Sequence, residues 1–138
     1  MSRATAITVT NDLAELERLS RVVEEFGRAA GLSAPVIFDL QLAASEIVTN
    51  VILHGYDDER EHAIVVRLVA NAGEVTVEVE DDGRPFDPSS APAPRLDLPL
   101  EERPLGGLGV HLARRVTDAI EYRRQDERNI LRMRKRTA

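Results

Sequence analysis

The sequence contains no cysteine among its 138 residues. A disulfide framework, a thiol nucleophile and a thiolate metal site are therefore excluded, and His54 and His62 lack partners at metal-ligand spacing. This composition is typical of proteins in a reducing compartment. No continuous apolar run approaches the roughly 18 residues of a membrane-spanning helix, and the first ten residues, MSRATAITVT, lack the apolar core of a signal peptide. We therefore expect a cytoplasmic protein that does not contact the membrane.

Lysine is nearly absent as well. Of the 18 basic residues, 17 are arginines and the single lysine is Lys135. A phosphate-binding loop of the G-x-x-x-x-G-K-[ST] type is therefore excluded, and any nucleotide site must hold its phosphates without that lysine. The formal net charge of −6 argues against direct nucleic-acid binding, which depends on a basic surface.

Length and composition predict one soluble globular domain over residues 1–138. The hydrophobic fraction is 43% and the charged fraction is 30%, values that are typical of folded rather than disordered chains. The seven prolines are unevenly distributed, since six of them lie between residues 85 and 104. Long irregular loops are uncommon inside a domain and often cover a binding site, so we predict a flexible lid over about residues 85–105.

Hydrophobic periodicity predicts five strands and three helices. The strands are expected over residues 5–10, 63–70, 74–80, 119–124 and 129–135. The helices are expected over about residues 12–30 and 34–54, and from a glycine-rich turn near 107 to about 118. Asp12 and Glu15 are predicted to form a capping box at the start of the first helix, and Gly31 is predicted to end it.

The second predicted helix carries Glu46 and Asn50. Four residues apart, these side chains share one face, one turn above the other. An asparagine oxygen is a hard, neutral ligand that suits Mg²⁺, and a glutamate one turn away could orient or deprotonate a hydroxyl that attacks phosphorus. Taken alone, this spacing favours a solvated polar face over a functional site.

A second polar cluster follows a predicted strand in the stretch EDDGRPFDP, residues 80–88. Asp81, Asp82 and Gly83 form a turn by default. In the functional interpretation, one carboxylate accepts a hydrogen bond from the amino group of a base, and Gly83 allows close approach. Because a carboxylate cannot donate, it would favour adenine over guanine.

A third cluster, GGLGV, opens the third predicted helix at residues 106–110. An ordinary glycine-rich turn explains this pattern equally well. Backbone N–H groups at a helix N-terminus, however, bind anions without any lysine. The cluster could therefore hold the phosphates of a nucleotide without the lysine that this chain lacks at such a site.

Together and in this order, the three clusters resemble the ATP-binding domain of the GHKL superfamily. Gyrase-type topoisomerases, Hsp-type chaperones, histidine kinases and mismatch-repair ATPases share that domain. The stretches SEIVTNVILHGY and EVEDDGRPFDP make the chain most similar to the small serine kinases that act as bacterial anti-sigma factors in sporulation and general stress. The resemblance covers about residues 5–135, and it departs from the wider D-x-G-x-G pattern at Pro85.

The resemblance implies an α/β (α+β) two-layer sandwich, with a mixed, mainly antiparallel sheet and helices on one face. It implies that Glu46 is the catalytic general base, that Asn50 binds Mg²⁺, and that Asp81 reads the adenine amine. Gly83 would shape the adenine pocket, and the glycine-rich turn would let backbone approach the phosphates. The implied ATP-binding residues are Asn50, Asp81, Gly83, Gly107, Leu108, Gly109 and Val110.

The resemblance also implies a function and partners. It predicts an ATP-dependent serine/threonine kinase that sequesters a sigma factor, phosphorylates a serine of a STAS-type anti-sigma factor antagonist, and forms a homodimer. Two alternatives remain, a non-catalytic ATP-binding switch and an ATPase that releases phosphate to water without a partner. Glu46 favours the kinase, because binding alone requires no general base.

Overall fold

The structure is a computed structural model that describes residues 2–86 and 107–137, with only the backbone for residues 107–110. Its strands are β1 (Arg3–Thr10), β2 (Ala63–Asn71), β3 (Glu74–Asp81), β4 (Ala119–Gln125) and β5 (Arg128–Arg136). Its helices are α1 (Leu16–Ala29), α2 (Ala34–His54) and α3 (Gly107–Val116). Apart from Pro85 and Phe86, the predicted lid lies outside the described residues.

The five strands form one sheet in the order β1-β2-β3-β5-β4. All four strand pairings are antiparallel. A tight turn joins β2 to β3, and Gly73 has a φ of 79° there, a backbone conformation that favours glycine. The sheet therefore confirms the expected fold class, with β5 inserted between β3 and β4.

The two faces of the sheet differ in polarity because strand side chains alternate. The inner face packs against the helices, and each fully buried Leu or Val contributes roughly 1.5–3 kcal/mol. Its buried residues include Ile64, Val66, Leu68, Val75, Val77, Val79, Leu131 and Met133. On the outer face Glu78 pairs with Arg67 at 3.2 Å and with Arg132 at 3.0 Å. Helices therefore cover one face, as predicted.

The start of α1 differs from the prediction. Asp12 caps a 3₁₀ turn over Leu13–Glu15, where its Oδ1 accepts a hydrogen bond from the Ala14 N–H at 2.9 Å. The expected capping box is absent, because Glu15 Oε1 accepts instead from the Thr10 N–H at 3.0 Å. The extra turn moves Glu15 towards the end of β1, and α1 begins later than expected.

The ends of α2 follow the sequence closely. Ser33 caps its start by accepting a hydrogen bond from the Val36 N–H, and Pro35 lies in its first turn, where a missing N–H is harmless. By length and composition α2 is also apolar enough to cross a membrane, although polar residues interrupt its apolar sequence. Core helices of soluble proteins pass the same test, and α2 packs against α1, α3 and β3.

Candidate functional site

A cleft lies between the C-terminal half of α2 and the adjoining ends of β3 and β5. Its apolar lining residues are Ile47, Val51, Val79, Pro85, Phe86 and Leu131. Its polar lining residues are Asn50, His54, Asp81, Arg84, Tyr122 and Asn129. Apolar walls with a few convergent polar groups are typical of small-molecule sites. The fold thus brings Asn50 and Asp81 into one cleft.

Asp81 is the buried carboxylate of this cleft, with 4% of its surface exposed. Its Oδ1 accepts hydrogen bonds from the Gly83 N–H at 2.8 Å and from Asn129 Nδ2 at 3.0 Å. Burial raises the pKa of Asp81, while these two hydrogen bonds oppose the rise. No hydrogen bond from the described residues reaches Oδ2. This second oxygen is therefore available to accept a hydrogen bond from a ligand.

Asp82 has a different environment. Its side chain is exposed, it does not line the cleft, and its Oδ1 lies 3.2 Å from His62 Nδ1. The D-x-G register singles out Asp81 over Asp82, and the structure puts Asp81 in the cleft.

Asn129 is the main residue that sequence reasoning missed. It is buried on β5, where its Nδ2 donates to Asp81 and to the carbonyl oxygen of Arg84 at 2.9 Å. Its Oδ1 accepts from the Tyr122 hydroxyl and from Arg124 Nη1 at 3.1 Å. Every polar atom of the amide thus has a partner, and the network fixes the orientation of Asp81.

The strand pattern contains a signal that could have identified Asn129. Asn129, Leu131 and Met133 occupy every second position of β5, so their side chains lie on the same face of the strand. Leu131 and Met133 are both buried. A polar group left unpaired at such an inward position would cost about 1–3 kcal/mol. An asparagine in the inward register of a buried strand therefore indicates a hydrogen-bonded partner, here the carboxylate of the cleft.

The D-x-G turn packs directly on the end of α2. The backbone N–H of Arg84 donates to the Gly55 carbonyl at 2.9 Å, and Arg84 Nε donates to the His54 carbonyl at 2.7 Å. A Cβ at Gly83 would lie 2.6 Å from the Gly55 oxygen, which is too close for any side chain. Gly83 is therefore required by this close approach, through which it shapes the neighbouring cleft.

Glu46 and Asn50 lie one turn apart on α2, and both are partly exposed. Within the described part of the chain, neither side chain forms a hydrogen bond or ion pair. Asn50 lines the cleft, whereas Glu46 is not among the lining residues and lies about 6 Å along the helix axis. Both side chains are therefore available to external ligands.

The glycine-rich turn is described through its backbone. Helix α3 begins at Gly107, as the sequence predicts, and it packs against α2. The side chains of Leu108 and Val110 lie outside the described part of the structure. The first backbone N–H groups of a helix have no partner within that helix, so residues 107–110 are able to offer donors to an anion.

The histidine in the cleft offers no metal site. Burial and the nearby Arg84 guanidinium lower the pKa of His54, which favours the neutral imidazole at pH 7. Among the residues that the structure describes, no group of three or more His, Asp or Glu could hold a metal ion. A cation bound at Asn50 would take its other ligands from phosphate oxygens and water, as Mg²⁺ usually does.

Known proteins resemble this chain in sequence and in fold. The family described as Histidine kinase-like ATPase domain matches residues 9–135. Serine/threonine-protein kinase BtrW of Bordetella bronchiseptica is 33% identical over 99 residues, which cover 72% of this chain and 70% of BtrW. An anti-sigma F factor of Thermoanaerobacter is 31% identical over 101 residues, covering 72% and 69%.

Other relatives are longer than the matched region. Serine-protein kinase RsbW of Bacillus cereus is 32% identical over 106 residues, which cover 73% of this chain and 65% of that protein. The crystal structure of the RsbU and RsbW domains of Rv1364c from Mycobacterium tuberculosis matches with a TM-score of 0.67 and 18% identity. That match covers 97% of this chain and 32% of the solved chain, and it concerns the fold alone.

Proposed function

Because the chain belongs to the histidine kinase-like ATPase domain family, among RsbW-type serine kinases and anti-sigma factors, we propose that residues 1–138 form one ATP-dependent serine/threonine kinase domain. In this proposal the chain phosphorylates a serine of a STAS-type antagonist and sequesters a sigma factor, as a homodimer in the cytoplasm. The observation that carries the proposal is the cleft that joins the buried Asp81 carboxylate to Asn50 on α2.

Asp81 selects the base. Its Oδ1 is held by Gly83 and Asn129, so its Oδ2 accepts the hydrogen bond of the adenine amine. Guanine carries a carbonyl at that position, and two acceptors would then face each other. An unpaired buried acceptor costs about 1–3 kcal/mol, which favours ATP over GTP.

Asn50 and the start of α3 hold the phosphates. The Asn50 oxygen binds Mg²⁺, and the backbone N–H groups of residues 107–110 donate to phosphate oxygens. When bound, ATP supplies the transferable phosphoryl group. This division of roles explains how a chain with a single lysine binds a triphosphate.

Glu46 acts as the general base. Its carboxylate takes the proton of the substrate serine while the serine oxygen forms a bond to the terminal phosphorus. The bond from that phosphorus to the bridging oxygen breaks, and ADP is the leaving group. A role in binding alone would need Asn50 and Asp81 but no base.

A phosphotransfer assay tests the proposal. The antagonist is first identified by co-purification from the native host, and it is then incubated with the chain, Mg²⁺ and radiolabelled ATP. Glu46→Gln should retain ATP affinity and lower the transfer rate about 10²-fold or more, because the base is lost. Glu25→Gln, at an exposed position of α1, is the matched control and should transfer at the wild-type rate.

The other outcomes separate the alternatives. Tight ATP binding without phosphoserine would support the non-catalytic switch. Phosphate release that does not depend on the antagonist would support the ATPase. Transfer by Glu46→Gln at the wild-type rate would contradict the role of Glu46.

A further inference from the structure

A histidine outside the cleft connects two chain segments beside the D-x-G turn. His62 lies just before β2, and its Nε2 is 2.7 Å from Asp58 Oδ1. Its Nδ1 is 3.2 Å from Asp82 Oδ1. The ring also stacks on Tyr56, with 3.9 Å between ring centroids and 10° between planes. Because Asp82 directly follows Asp81, this contact reaches the backbone that carries the base-binding carboxylate.

The geometry around His62 matches a protonated imidazole. A neutral imidazole has one N–H, so one of the two carboxylates would face a nitrogen lone pair. When both nitrogens carry protons, both contacts become charge-assisted hydrogen bonds. The hydrogen bond that the imidazole donates to Asp58 raises the pKa of His62, the one donated to Asp82 adds to the rise, and partial burial opposes it.

Other ionisable groups surround the imidazole. Burial and the neighbouring Asp81 and Asp82 carboxylates raise the pKa of Tyr56, so its phenol stays neutral through the titration of His62. The hydrogen bond from His62 and then the one from the Arg60 N–H lower the pKa of Asp58, and the Arg60 guanidinium adds a smaller effect in the same direction. The Arg128 guanidinium opposes part of the rise in the pKa of Tyr56. Both arginines keep their charge over the same range, so His62 is the group here that changes charge near neutral pH.

The backbone of His62 is anchored on the opposite side. Its N–H donates to Asn11 Oδ1 at 2.8 Å, and Asn11 Nδ2 donates to the carbonyl of Arg60 at 3.1 Å. The turn before β2 is thereby attached to the end of β1. An anchored imidazole restrains Asp82, whereas a mobile one would simply follow it.

We propose that protonated His62 is a positioning residue for the base-binding turn. We call the arrangement of Asp58, His62 and Asp82 the His62 clasp. While both contacts are charge-assisted, the clasp restrains Asp82 and keeps Asp81 oriented into the cleft. Loss of the proton releases one contact, the turn gains freedom, and adenine nucleotides bind more weakly. This inference rests on the proposed ATP binding.

The sign of the pH dependence follows from the raised pKa. The clasp is complete below the ordinary histidine pKa of about 6.5, and it is lost as pH rises through the higher pKa of His62 in the folded protein. Nucleotide affinity should therefore decrease with rising pH near neutrality.

The first experiment does not involve nucleotide. The imidazole titration of His62 is followed by NMR in the wild-type protein, in Asp58→Asn and in Asp82→Asn. We expect a wild-type pKa above about 6.5 and a lower pKa in both variants. A wild-type pKa at or below that value would overturn the clasp, whether or not the protein binds ATP.

The second experiment measures the dissociation constant of ATP between about pH 5.5 and about pH 8.5 for the wild type and for His62→Gln. The ratio of the two constants cancels the titration of ATP itself. We expect His62→Gln to bind about three- to tenfold more weakly at low pH and equally well at high pH. Asp82→Asn should behave in the same way, and Asp57→Asn, an exposed neighbour, should match the wild type throughout.

The remaining outcomes distinguish a failure of the His62 clasp from a failure of the proposed ATP binding. A ratio that stays constant with pH, together with the expected NMR titration, would show that the clasp forms but does not position the turn. Failure of the wild type to bind ATP at every pH would overturn the proposed function and this role for His62. Circular dichroism shows whether His62→Gln is folded, and Asp82→Asn supplies the same test if it is not.

Discussion

Among the described residues that line the cleft, Asp81 is the carboxylate, and its neighbours determine which of its oxygens is available. The Gly83 N–H and Asn129 both donate to Oδ1, which orients the carboxyl group and offsets part of the cost of its burial. In the sequence, the D-x-G register alone favours Asp81 over Asp82 as the base-binding residue, and Asp81 is the one that lines the cleft. The sequence does not indicate that Asn129 contacts Asp81, because 48 positions separate the two residues. They meet only because β5 lies beside β3 in the sheet.

The substitution Asp81→Asn should change the base preference of the cleft. The amide oxygen keeps the hydrogen bonds from Gly83 and Asn129, which turns the amide nitrogen towards the ligand. Donor then faces donor when ATP binds, so ATP affinity should fall about tenfold or more, while the guanine carbonyl gains a partner. Competition against a fluorescent nucleotide measures both affinities. Asp126→Asn, in the exposed turn before β5, is the matched control, and an unchanged preference for ATP in Asp81→Asn would contradict the assignment.

Among the contacts between secondary-structure elements, α1 and α2 pack closely at Gly27. A Cβ built there would lie 2.5 Å from Ile37 Cγ1. A glycine inside a helix costs about 1 kcal/mol relative to alanine, so helix propensity alone would favour Ala at position 27. Packing against Ile37, which is β-branched and stiff at χ1, makes the glycine necessary.

Gly27→Ala should therefore destabilise the protein by about 1–3 kcal/mol despite its better helix propensity. The overlap arises from Ile37, so Ile37→Ala should relieve it. In urea unfolding, the double variant should be more stable than the sum of the two single changes predicts. Strictly additive effects of the two changes on the free energy of unfolding would show that α1 moves away from α2 without a loss of stability. A Gly27→Ala protein as stable as the wild type would show the same.

Most of the helices and strands are predictable from the sequence, because the hydrophobic residues of each recur with a clear period. Alternation identified the strands, and the 3.6-residue pattern identified the helices. The start of α1 was misplaced because Glu15 bonds to the end of β1, a tertiary contact that no local rule contains. The order of the strands was equally inaccessible, since nothing in the sequence indicates that β5 separates β3 from β4.

At the scale of the whole molecule, the cleft joins α2, β3 and β5, so its ligand should stabilise the entire fold. A ligand that binds only the folded state at about 100 times its dissociation constant adds about 2.7 kcal/mol to the free energy of unfolding. For a chain of this size we expect ATP with Mg²⁺ to raise the melting temperature by about 10 °C. Differential scanning calorimetry measures this shift, and GTP should give a smaller one.

Removal of the metal provides the control. Chelation of Mg²⁺ should reduce the ATP-induced shift in the wild type, because Asn50 would lose the cation through which it holds the phosphates. In Asn50→Ala the shift should be small with or without chelator. An ATP-induced shift in the wild type that does not depend on Mg²⁺ would exclude this role for Asn50.

The position of β5 inside the sheet also sets the time at which the cleft is completed during translation. Asn129 is synthesised 48 residues after Asp81, a delay of roughly 2–10 seconds at the usual rate of about 5–20 residues per second. Until β5 enters, one edge of β3 is unpaired and the Asp81 carboxylate lacks its asparagine. If Asp81 binds the base as proposed, a nascent chain that already contains α2 and the D-x-G turn would not yet orient that base, and nucleotide would not assist folding before β5 has paired.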